Sequence, residues 1–163
     1  MGPHGHKPHV LLSVALLLLV SCREGSQPGV SFSCPGQAKL GVYNPDRLNV
    51  LGTCRTFRGI VISSDERSDG DTHLLIAPDE GYSSLLNVEN VNQGGMVVEI
   101  MPGQNLPVPP NGEHVAVFGT WVFDTHNGWN EIHPVWGIRY LDGGQAAFSL
   151  PPAEPVYHGG SND

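Results

Sequence analysis

The dipeptide Asn127-Gly128 constrains this chain more than any other feature, because strand-like runs flank it, Phe118 to Asp124 before and Trp129 to Val135 after. Asn-Gly between such runs is the strongest short-range hairpin signal: both residues accept the positive φ that a tight two-residue turn demands. Read as that turn, it opposes His126 with Trp129, Thr125 with Asn130, Asp124 with Glu131, Phe123 with Ile132, and Val122 with His133. Side chains alternate across a strand and opposed residues share a face. One face therefore carries Val122, Asp124, His126, Trp129, Glu131 and His133. The other carries Trp121, Phe123, Thr125, Asn130 and Ile132, is mostly apolar, and is expected to point into a core.

The first face gathers every ionisable side chain of the hairpin, and in this register Asp124 and Glu131 repel. A shared proton, a bound cation or a divergence of the strands would relieve them. Asp124, His126, Glu131 and His133 together would offer a divalent transition metal mixed N/O ligands, suited to zinc, manganese or iron. His73 or His114 would complete the shell if the fold brought either near. The plainer reading has Glu131 and His133 bracing the hairpin through hydrogen bonds while Trp129 covers its tip. Neither His-Glu-x-x-His nor Cys-x-x-Cys spacing occurs, so no standard metal signature supports the site.

Composition enters through punctuation. The 163 residues hold 21 Gly and 14 Pro and are only 15 % charged. Long amphipathic helices do not survive that density of breakers, and short strands with turns do. Strands are expected at Thr53 to Ser63, Thr72 to Ala77, Met96 to Met101, Glu113 to Asp124 and Trp129 to Tyr140. Gly119 marks a bulge or bend in the fourth, and Pro134 a broken ladder position in the fifth. Asp69-Gly70 is a second hairpin signal, in a polar loop read as a solvated turn. A short helix or irregular cover is expected around Tyr82 to Leu86, a proline loop from Pro102 to Asn111, and a flexible tail from residue 143 to 163. The formal charge of −8 argues against nucleic acid as a partner.

At the N-terminus, Val10 to Val20 is an apolar run interrupted only by Ser13, too short to span a bilayer but suited to a signal-peptide h-region. Leu19-Val20-Ser21-Cys22 follows at once and resembles the lipobox of bacterial lipoproteins. The resemblance implies a signal peptide over 1–21, lipid on Cys22, export, and a membrane as partner through that lipid. Residues 22–50 then form a tether and cover segment, and the β domain spans 51–142. With Cys22 acylated, Cys34 and Cys54 remain as a disulfide pair in an oxidising compartment, stabilising by about 3 kcal/mol in the chain-entropy model.

Five short strands with one short helix and long loops imply an all-β domain, a small barrel or sandwich. The mid-strand Gly59 and the run Val115-Ala116-Val117-Phe118-Gly119-Thr120 resemble OB-fold barrels over about Leu51 to Leu141. One departure is that the helix falls between strands two and three, where OB folds place it between three and four. The run Gly-Trp-Asn-Glu-Ile-His-Pro-Val resembles one in exported bacterial proteins of unassigned activity.

Three functions follow as expectations. The first is an envelope module binding a ligand or protein partner, with Trp129 and Trp136 able to stack on a sugar. The second is a metal-dependent hydrolase on the 124–133 hairpin face, using a metal-bound water. The third is an envelope component with no small ligand. No phosphate loop, nucleophile elbow or thiol nucleophile supports another enzyme class, and no catalytic residue is assigned.

Overall fold

The computed structural model describes residues 1–2, 35 and 37–153. The apolar run Val10 to Val20, expected as a signal h-region, and Cys22, Cys34 and residues 154–163 lie outside them. A 3-10 turn at Pro45–Arg47 precedes β1 (Leu48–Glu66), β2 (Thr72–Pro78), α1 (Val88–Gln93), β3 (Met96–Ile100), β4 (His114–Asp124), β5 (Asn130–Tyr140) and β6 (Ala146–Phe148). The fold is mainly β, as the Gly and Pro punctuation implies.

The strands run in the order β3-β2-β1-β4-β5-β6, and a further pairing of β3 with β5 closes the ring into a small OB-like barrel. Closure is parallel, through Val97 with Glu131 and Val98 with Ile132, whereas the other ladders are antiparallel. The 19-residue β1 is longer than expected because it serves two partners, β4 along Leu48 to Ile60 and β2 along Gly59 to Glu66. The helix sits between β2 and β3, the departure from the OB pattern noted above.

A sixth strand replaces the start of the expected tail. Its residues 146–148 pair with Gly137 to Arg139 of β5. Gln104 fastens the segment by donating to Ser149 O at 2.7 Å and to Val135 O at 2.8 Å. Three residues carry too little pattern for sequence to register as a strand; the vacant edge of β5 recruits them.

Phe57, Val61, Leu74, Ile76, Met96, Val98, Val117, Ile132 and Ile138 are among the residues that fill the barrel interior. A smaller apolar cluster, Val42, Leu48 and Val122, lies apart from it. Trp136, expected to be available to a ligand, is fully buried and packs edge-on against Phe118 at 5.7 Å. Burial of so large a ring stabilises the fold and takes it out of reach of any sugar.

Gly119 permits the tightest approach of β4 to β5. A Cβ there would lie 2.4 Å from Pro134 O and 2.6 Å from Ile132 Cγ2. The ladder steps from Gly119–Val135 to Trp121–Ile132, so β5 carries one residue more than β4 across the interval, around Pro134. A second extra residue enters between Phe118–Gly137 and Gly119–Val135, so the expected irregularities at these two positions belong to one stretch with two register shifts.

The hairpin between β4 and β5 corrects the two-residue turn. Asp124 N donates to Trp129 O at 2.9 Å and Gly128 N to Asp124 O at 2.8 Å, so Thr125 to Gly128 form a four-residue loop with Gly128 at φ +80°. Phe123 pairs with Asn130 and Val122 with Glu131. Relative to the two-residue turn the register slips by two. An even slip changes each residue's partner and leaves its face unchanged. Asp124 and Glu131 therefore are not opposed, and the repulsion that suggested a cation between them does not arise.

Candidate metal centre

Ionisable residues do gather on the hairpin face, but with different members. Neighbouring residues on β2, β3 and β5 alternate in fate. Leu74, Val98 and Ile132 belong to the interior, so His73, Glu99, Glu131 and His133 stand on the other side of the same strands. His73 pairs with Glu99 across β2–β3. The parallel closure brings β5 alongside, and His133 Nδ1 lies 2.6 Å from Glu99 Oε2 while His73 Nε2 lies 3.0 Å from Glu99 Oε1. His73, Glu99 and His133 thus form a row across three strands with the carboxylate in the middle. Glu131 flanks it, its Oε1 3.1 Å from His133 Nδ1, and Asp71 joins His73 and Glu99 just before β2.

The cluster is buried. Glu99 and Glu131 are fully covered and His133 is 2 % exposed. Trp129 Nε1 donates to Glu131 Oε2 at 3.1 Å, which fixes that carboxylate from the hairpin tip. The tip is itself held by α1. Buried Asn90 bonds both N and O of the Asn130 backbone at 2.9 and 2.8 Å, and Asn87 Nδ2 donates to Gly128 O at 2.9 Å. On the other flank the N-terminal cover segment contributes Val42, Tyr43, Asn44 and Arg47 to a cleft that Asp69, Asp71 and His133 also line.

Both oxygens of Glu99 lack a hydrogen-bond partner among the described residues, although imidazole nitrogens approach each closely. These contacts are ion pairs at 3.0 Å to His73 and 2.6 Å to His133. His133 Nε2 is likewise buried without a partner.

Burial and mutual charge set the protonation of the metal-free cluster. Burial pushes Glu131 up to about 7, and the Glu99 charge adds to the rise. Burial likewise raises Asp71 to about 6, again reinforced by Glu99. Burial would also raise Glu99, but the His133 and His73 imidazoles outweigh it and hold that carboxyl well below its usual range. Burial opposes charge on His133, yet Glu99 and Glu131 hold it well above an ordinary histidine. His73 is raised too, against the same burial penalty, by Glu99. The cluster carries an ionised Glu99 between cationic imidazoles, with protons on its flanks.

The four residues expected to converge divide into two pairs. Glu131 and His133 join the cluster. Asp124 and His126 do not. Asp124 accepts from the backbone N–H groups of His126 and Asn127 at 2.7 and 3.3 Å, and from Asn127 Nδ2 at 2.8 Å, with Arg47 Nε at 3.4 Å. Its oxygens are occupied in capping the turn. His126 is exposed in the loop. Of the two histidines considered as additions, His73 reaches the cluster through Glu99, and His114 bonds Asp79 elsewhere at 2.9 Å. Half-buried Trp129 serves as a hydrogen-bond donor to Glu131. Cys54 is disulfide-bonded, while the partner expected for it, Cys34, lies outside the described residues.

Sequence reading missed Glu99 and Asp71. Glu99 did leave a signal: it is the single charge in the apolar run Met96 to Met101, and a charge inside a buried strand must be paired. Asp71 left none, because it closes a loop of acids that are otherwise exposed.

No family model, curated protein or solved structure matches this chain.

Proposed function

We propose that this protein is an exported, lipid-anchored barrel of the cell envelope whose ligand is a divalent transition metal, held by Glu99, Glu131 and His133. The Glu99 carboxylate carries the reading. It is fully buried, its two oxygens stand 3.0 and 2.6 Å from the imidazole nitrogens of His73 and His133, and it belongs to both groups of side chains that could hold an ion. Three buried carboxylates against two imidazoles leave the cluster short of positive charge, and a coordinated cation offsets that cost. One nitrogen and two carboxylates suit zinc, manganese or iron. Envelope anchoring is supported by the h-region and by Leu19-Val20-Ser21-Cys22.

The buried shell favours a metal held in place over a centre that turns over substrate, since catalytic sites keep an open position. The sugar-stacking version of the binding module loses its support, because Trp136 is in the core and the Trp129 indole N–H is committed to Glu131. Elemental analysis of the mature protein, purified without added metal or chelator, is the direct test. About one equivalent or more of zinc, manganese or iron is expected, with a lower melting temperature after EDTA, and Glu131→Gln should lose that metal while remaining folded. A metal-free protein whose melting ignores both chelator and added metal would overturn the reading.

A further inference from the structure

We infer that the same face holds two divalent cations, with Glu99 as the bridge: one on Glu99, Glu131 and His133, the other on Asp71, His73 and Glu99. This rests on the metal reading above and extends it. Each triad offers ligand atoms that lie within 4.8 Å of one another. Ligands bound at about 2.0–2.2 Å to one ion stand roughly 3–4 Å apart, so the imidazole–carboxylate pairs, now at 2.6–3.1 Å, open by up to about 1 Å to admit an ion.

Three observations favour two ions over one. First, the two oxygens of Glu99 are divided between the triads, Oε1 towards His73 and Oε2 towards His133. A carboxylate so divided spans metal ions about 3.5–4 Å apart, the usual separation in two-metal sites. Second, Asp71 is 7 % exposed and groups with His73 and Glu99, not with Glu131 and His133. A single ion at Glu131 and His133 would leave Asp71 and His73 outside its shell, with the two carboxylates of Asp71 and Glu99 still side by side. Third, the charges suit the pair. Two divalent cations facing three carboxylates and two neutral imidazoles leave about one positive charge, which a single small anion such as hydroxide balances.

The two positions differ in access. Trp129 seals the Glu131 flank, whereas Asp71 lines the cleft beside Arg47 and the His73 side chain retains 18 % exposure. The ion at Asp71 and His73 is therefore the exchangeable one, and the ion at Glu131 and His133 the retained one.

The test loads the metal-free full mature chain with Mn(II) alone and reads stoichiometry together with electron paramagnetic resonance. About two equivalents and a spin-coupled spectrum are expected for the unmodified protein. The double variant Asp71→Asn/His73→Gln, near-isosteric at both positions, should bind one equivalent and give the six-line spectrum of an isolated ion. Brief treatment with a weak chelator should bring the unmodified protein to that same state. Thermal melting confirms that the variant is folded, and His73→Gln alone serves if it is not. Saturation of the unmodified protein at one equivalent with an uncoupled spectrum would overturn the bridge and leave the one-metal reading standing. Two equivalents persisting in the variants would also overturn it. No binding at all would remove the metal reading itself and this one with it.

Discussion

Two rows of side chains share β2, β3 and β5 and differ by one residue per strand. Leu74, Val98 and Ile132 form the inner row, and His73, Glu99 and His133 the outer. The backbone hydrogen bonds are common to both, and most of the six side chains are buried. The inner row is stabilised by removal of apolar surface from water, which needs no particular orientation. The outer row depends on charge and direction, and each member is favourable only while the others are present. One wall of the barrel therefore has a tolerant side and an interdependent side.

The largest expected effect separates these two kinds of stability. Glu99→Ala in the metal-free protein leaves the raised His133 facing Glu131 alone, and should cost about 3–5 kcal/mol in urea unfolding, as breaking a buried pair does. Ile132→Ala on the inner row should cost about 2–5 kcal/mol through its cavity. The sharper contrast comes from repair. Replacing His73, Glu99 and His133 together by apolar residues of similar volume should restore stability to about the starting value or above it, while abolishing metal binding. If that triple variant is as unstable as Glu99→Ala, the outer row is not the electrostatic unit described.

Next in size is pH. Glu131 and Asp71 keep their protons in the fold up to about 7 and about 6, above the values they take in the unfolded chain. Their contribution is complete at low pH and is lost as pH rises through those values, on the order of 3 kcal/mol for Glu131. Histidines 73 and 133, also raised, add a loss at higher pH; Glu99, lowered, contributes above the ordinary carboxylate range and loses its contribution as pH falls. Metal-free protein should thus be most stable near pH 4.5 and weaken towards pH 8, and Glu131→Gln should flatten the decline. A stability maximum near neutrality in EDTA would contradict this assignment.

The smallest effects fall on the hairpin tip, which the turn chemistry builds and the metal does not need. Asp124→Ala removes a turn cap and should cost about 1–2 kcal/mol with metal stoichiometry unchanged. His126→Ala, exposed in the loop, should lie within about 0.5 kcal/mol and leave metal binding untouched. Loss of metal in either variant would return these residues to the site.

What local chemistry alone decides was legible in the chain. Breaker density made the domain β, Asn127-Gly128 reversed it, Gly119 and Pro134 marked the stretch where the β4–β5 ladder shifts, and strand alternation put Glu131 and His133 on one face. Local chemistry failed where an answer depended on distance along the chain. Loop length set the hairpin pairing, because Asn-Gly serves a four-residue loop as well as a two-residue one, and that moved Asp124 from site ligand to turn cap. The closing contact of β3 with β5 decided the rest: it joined Glu99 to His133 across 34 positions of sequence, and no periodicity within either strand encodes which strand will lie beside it.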